Sequence, residues 1–99
     1  MTAANINNLA SSIIPIATKY GVSRVKLFGS RARGDNKPHS DYDFLISRGQ
    51  MRSILQYSAF VTELEAALGT HVDVITDTSD DKQLINVAEA EGVEIYGGK

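Results

Sequence analysis

The 99-residue sequence contains no cysteine, which excludes disulfides and thiolate-bound metals. No apolar run approaches the roughly 20 residues that a bilayer-spanning helix requires. The opening MTAANINN has no basic stretch followed by an apolar one, so neither a membrane span nor a signal peptide is expected. An overall positive charge is also lacking: the formal net charge is -2 and aromatic residues amount to 7%. A general nucleic-acid binder is ordinarily basic, with stacking aromatics interleaved, so direct nucleic-acid binding is not expected. With 42% apolar and 22% charged residues the composition is that of a globular protein, and a cytoplasmic location is the simplest reading. At this length one domain over residues 1–99, with a single core, is expected; a second, substrate-binding domain does not fit.

The charge that is present is unevenly spread. Residues 1–52 carry +5 and residues 53–99 carry -7. Half of the basic residues (Arg24, Lys26, Arg31, Arg33 and Lys37) fall within one 14-residue window. Such a window is either a solvated basic surface or a local positive field for polyphosphate.

Hydrophobic spacing predicts a small mixed sheet covered by helices, an α/β (α+β) class. Ile6, Leu9, Ile13, Ile14 and Ala17 mark a first helix ending near Tyr20-Gly21, which Pro15 should kink or divide. Val25 to Phe28 reads as a buried strand, Gly34 to Ser40 as an exposed loop, and Asp43 to Ser47 as a second strand. Met51, Ile54, Leu55, Ser58, Val61, Leu64 and Leu68 form a helical stripe closed by Gly69. Val72 to Ile75 is a third strand, and Asp80 to Glu91 a helix whose acidic start suits its positive end. Val93, Ile95 and Tyr96 are a candidate edge strand.

Within this frame Gly29-Ser30, between the first strand and the loop, reads as a phosphate-gripping turn. Gly29 removes a Cβ where backbone must approach a ligand, Ser30 adds a hydroxyl, and Arg31 and Arg33 can neutralise phosphate charge. Asp41 and Asp43, two apart, point to one face of a strand. Like charges held together are costly without a cation, and magnesium commonly binds through one or two carboxylates plus substrate phosphates. Asp73 lies between two valines in a strand otherwise built for burial. If that strand pairs beside the second, Asp73 completes three carboxylates of the kind that serve in-line phosphoryl displacement. Gly29 and Gly34 have P-loop spacing, but Asp35-Asn36 stands where Lys and Ser/Thr belong, so Walker-type chemistry is excluded. His39 and His71 are not spaced as zinc ligands and read as loop and strand lead-in. Ser30 has no evident histidine base.

GSRARG, SDYDF and HVDVIT together resemble the nucleotidyltransferase superfamily that includes DNA polymerase β, over most of the chain from Tyr20 to about Tyr96. The short length is similar to its minimal branch, the MntA-like antitoxins paired with HEPN-domain toxins. The resemblance implies a nucleotidyltransferase fold in which Gly29 and Ser30 hold the triphosphate and Arg33 contacts its phosphates. It implies that Asp41 and Asp43 bind both of two magnesium ions, and that Asp73 binds one while helping to activate the acceptor hydroxyl. The implied reaction transfers AMP from ATP to a hydroxyl, expected to be a tyrosine of a HEPN ribonuclease toxin, in a heteromeric complex that silences the toxin. Two other readings stay open: an antitoxin that neutralises by binding alone, and a nucleotidyltransferase subunit acting on a small molecule or an RNA end.

Overall fold

In the computed structural model, which describes residues 3–97, the chain runs α1 (Ala3–Tyr20), β1 (Arg24–Phe28), α2 (Ser30–Arg33) and β2 (Tyr42–Ser47). It continues through α3 (Ile54–Leu68), β3 (Val72–Thr76), α4 (Lys82–Glu91) and β4 (Val93–Tyr96). The strands form one sheet in the order β3-β2-β1-β4. β1 is antiparallel to β2 and to β4, whereas β2 is parallel to β3. The expected mixed α/β architecture therefore forms, and the candidate edge strand is β4. No helix among the described residues is long and apolar enough to cross a membrane.

Pro15 lies inside α1 without dividing it. Leu9, Ile13 and Ala17 sit on the buried face of the helix. Burying the first two stabilises by about 1.5–3 kcal/mol each, enough to offset the roughly 3 kcal/mol cost of an interior proline. Pro15 and Ser11, whose carbonyl a proline four residues on cannot satisfy, are both exposed.

Strand alternation divides the core into two, where the sequence predicts one. Val25, Leu27, Phe44, Ile46 and Val72 point to one face and pack with α1 and α3 around Phe60 and Leu64. Phe28 and Leu45 point to the other and meet only Ile85 and Ala88 of α4, with Ile75 and Leu84 partly buried beside them. Asp41 and Asp43 share the Leu45 face by the same alternation. α4 packs on β1 and β2, and the N-terminal ends of β2 and β3 stay open.

The stripe expected on α3 holds except in the first turn of the helix. Of that stripe Met51 and Leu64 are buried and Leu68 packs on the core, but Ile54 and Leu55 are each 78% exposed, and Phe60, outside the stripe, is buried in their place. A capping box explains why the first turn can face water: Ser53 Oγ accepts from the Gln56 N–H (3.1 Å) while Gln56 Oε1 accepts from the Ser53 N–H (3.1 Å). These bonds fix the helix start without apolar contact. Further along, α3 seals the outer edge of β3. The Tyr57 hydroxyl donates to the Val74 carbonyl (2.7 Å), and Glu65 accepts from the Val72 N–H (3.1 Å).

An ion-pair cluster joins α4 and β4 to β1. Arg24 grips Glu89 with both terminal nitrogens (2.9 and 2.6 Å) and Glu94 with Nε (2.9 Å), and Lys26 Nζ reaches Glu89 Oε1 at 3.2 Å. The Arg24 guanidinium is the main reason that the Glu89 carboxyl is held down to about 2, from an ordinary 4.5. A depressed carboxylate stabilises the fold above its unfolded pKa and loses that contribution as pH falls towards the folded value. Thermal melts should therefore show Glu89→Gln below wild type at pH 7, with the gap closing between pH 4.5 and about 2.

Candidate active site

The turn after β1 is built around a close approach. Gly29 has φ 79° and ψ -159°, a region essentially restricted to glycine. Asp43 is the register partner of Phe28, so its carboxylate comes alongside the turn, and a Cβ on Gly29 would collide with it. The glycine thus serves a neighbouring side chain as well as an open ligand surface. α2 follows for a single turn and is closed by Gly34, whose left-handed backbone (φ 86°) lets its N–H reach the Ser30 carbonyl (2.8 Å).

Glu91, from the last turn of α4, fills this turn with a carboxylate. The Gly29 N–H donates to its Oε1 (2.9 Å), and Arg33 Nη1 donates to Oε1 and Oε2 (3.2 and 3.3 Å). Arg33 Nε also pairs with Asp35 (3.2 Å). Sequence reasoning passed over Glu91, although a signal was available: an acidic residue at the negative end of a helix opposes the dipole and needs a partner elsewhere.

The carboxylates converge through strand pairing. β2 and β3 pair with Asp43 opposite Asp73, and Asp41 precedes β2 on the same face as Asp43. Partial burial, then repulsion from Asp73 and Asp41, pushes the Asp43 carboxyl up from its usual range; Arg33 opposes the shift. Asp73 itself is exposed, unlike its neighbour Val72. Ligand atoms of Asp41, His71 and Asp73 lie within 4.8 Å of one another, close enough to share a divalent cation. An oxygen-rich set of mutually repelling carboxylates suits magnesium.

His71 is the second residue that the sequence reading did not place in the site. Its Nε2 lies 3.0 Å from Asp73 Oδ1 and its Nδ1 2.9 Å from Glu65 Oε2. The hydrogen bond to Asp73 is the first reason that its pKa rises above the ordinary 6.5. Two-residue alternation was the available signal, since His71 and Asp73 must share a face of one strand.

The basic window does not act as one field. Arg24 and Lys26 are committed to Glu89 and Glu94. Arg31 donates to the Ser40 carbonyl (3.0 and 2.7 Å) and stacks over the Tyr42 ring at 4.1 Å. Arg33 is the member that meets the Gly29 turn. Cavities of about 720 and 530 Å³ elsewhere on the chain contain none of the three aspartates. The candidate site is an open surface, formed by the exposed Asp41, His71 and Asp73 beside the Gly29 turn.

The family model described as polymerase beta nucleotidyltransferase matches residues 11–99. A Methanocaldococcus jannaschii protein named "Putative protein adenylyltransferase" is 45% identical over 75 residues, covering 76% of this chain and 81% of that protein. Two solved structures share the fold. A toxin-antitoxin crystal structure with AMP-PNP superposes with a TM-score of 0.78 at 21% identity, covering 91% of this chain and 74% of that one. The complex of a tri-AMPylated Shewanella oneidensis HEPN toxin with its MNT antitoxin gives 0.72 at 18% identity, covering 94% and 73%.

Partial burial, and then repulsion from Asp73 and Asp41, makes Asp43 a source of pH-dependent instability. A carboxyl that is harder to ionise in the fold than in the unfolded chain destabilises the fold once pH exceeds the ordinary value of 3.8. In metal-free buffer at pH 7, Asp43→Asn should raise the melting temperature by about a few degrees. The two proteins should converge below pH 3.8, where wild-type Asp43 is protonated in both states.

Proposed function

Because the chain belongs to the polymerase beta nucleotidyltransferase family, we propose that it transfers AMP from ATP to a tyrosine hydroxyl of a HEPN ribonuclease toxin and so acts as its antitoxin. The observation that carries this reading is the pairing of Asp43 with Asp73 beside the Gly29 turn, which brings an acidic cluster against an anion grip. The name of the Methanocaldococcus jannaschii relative supports adenylyl transfer to protein. The AMP-PNP and HEPN complexes of the structural neighbours support ATP and the toxin.

In this reading the Gly29 N–H, Ser30 and Arg33 hold the triphosphate. Two of these already grip the Glu91 carboxylate, a smaller anion of similar donor requirement. Asp41, Asp43 and Asp73 hold magnesium, which when bound neutralises phosphate charge and the repulsion among the carboxylates. Asp73 faces the acceptor and orients its hydroxyl. The hydroxyl gives its proton to the Asp73 carboxylate as its oxygen bonds to the α-phosphorus, the bond from the α-phosphorus to the oxygen bridging it to the β-phosphate breaks, and pyrophosphate leaves with that oxygen. Positioning and charge neutralisation account for the acceleration. Since the site is an open surface, the partner supplies the acceptor and completes the enclosure.

Incubation with labelled ATP, magnesium and the protein encoded beside this chain should label that protein. Asp41→Ala/Asp43→Ala should reduce transfer by about a thousandfold or more; equal labelling would refute the assignment. Neutralisation of the toxin that survives loss of all three aspartates would point to binding alone. Glu91 supplies a separate check, because nucleotide must displace its carboxylate from Gly29 and Arg33. Glu91→Gln should tighten AMP-PNP binding by about fivefold in calorimetry, near 1 kcal/mol. Weaker binding would mean that Glu91 braces the site.

A further inference from the structure

We propose that His71 is a direct nitrogen ligand to the cation at Asp41 and Asp73, giving this site a preference for manganese over magnesium. The inference rests on the metal reading above and extends it to a residue outside the aspartate trio. Ligand atoms of Asp41, His71 and Asp73 lie within 4.8 Å of one another, and His71 Nε2 is 3.0 Å from Asp73 Oδ1; neighbouring ligands of one cation at about 2.1 Å are about 3.0 Å apart and opposite ones about 4.2 Å. The other ring nitrogen is already occupied, with Nδ1 2.9 Å from Glu65 Oε2. That carboxylate is in turn fixed by the Val72 N–H at 3.1 Å.

This carboxylate–histidine arrangement is how metal-bound imidazoles are usually held: one N–H is given to an acid, which fixes the tautomer and aims the second nitrogen at the metal. The strand supplies the aim, because alternation sends His71 and Asp73 to the same face. Asp43 lies against Gly29 and is not in the group that contains His71. The imidazole therefore joins the Asp41–Asp73 side of the site. Magnesium favours oxygen ligands and binds imidazole poorly, whereas manganese accepts both carboxylate and imidazole donors.

The test uses Mn2+ with the full chain, followed by electron paramagnetic resonance and binding titration without nucleotide or partner. Wild type should show nitrogen hyperfine coupling to the bound Mn2+ that disappears in His71→Asn. The variant should lose about tenfold in Mn2+ affinity and less than about twofold in Mg2+ affinity. Bound Mn2+ without nitrogen coupling in wild type would overturn the inference, as would equal losses for the two metals. Asp41→Asn/Asp73→Asn separates this from the reading beneath it. Unchanged Mn2+ affinity there would remove the carboxylate metal site itself, whereas a large loss combined with no nitrogen coupling would remove only His71. Circular dichroism of each variant confirms that the fold is retained.

Discussion

β2 is held on both sides, antiparallel to β1 and parallel to β3, and its register determines what each face of the sheet presents. Phe44 and Ile46 are fully buried on the α1–α3 side, so Asp43 and Leu45 must point the other way. A slip of one residue would drive the aspartate into that core and expose two large apolar side chains. The apolar burial of β2 thus fixes the position of a charged group that contributes nothing favourable to it. The same pairing sets Asp43 opposite Asp73 and lays its carboxylate against Gly29.

Partial coverage of the second face keeps the site accessible. The small core of Phe28, Leu45, Ile85 and Ala88 seats α4 over β1 and β2, and the Arg24 and Lys26 pairs with Glu89 hold it there. A wider helical layer would bury Asp73 and His71, and burying unpaired charge costs several kcal/mol per ion. α4 ends where Glu91 can reach Gly29 and Arg33. One helix therefore supports the sheet, leaves the carboxylates in water and occupies the anion grip.

The strand-borne parts of this arrangement were legible because period-two alternation is a local rule. Asp41 and Asp43 on one face follow from it and His71 was within its reach, whereas Asp73 beside them also needed β3 to pair with β2, as it does. What escaped depends on contacts distant in sequence. Whether Arg24 and Lys26 face solvent or Glu89 is decided by the docking of α4, which residues 24 to 37 do not encode. The exposed Ile54 and Leu55 mimic a core stripe because apolar spacing cannot reveal that the Ser53 cap starts the helix outside the sheet's shelter. Pro15 was weighed by its local cost alone, whereas the burial of Leu9 and Ile13 is a tertiary term. Glu91 lies 62 residues from Gly29 in the chain, beyond any local pattern.

β4 pairs with β1, although β2, α3, β3 and α4 lie between them in the chain. On the ribosome the outer edge of β1 therefore stays unpaired until β4 has emerged, well after β2, and open strand edges recruit other chains. The three aspartates, Gly29 and His71 all precede β4. A chain cut short before Val93 would keep every one of those residues, yet lose the strand that closes their sheet.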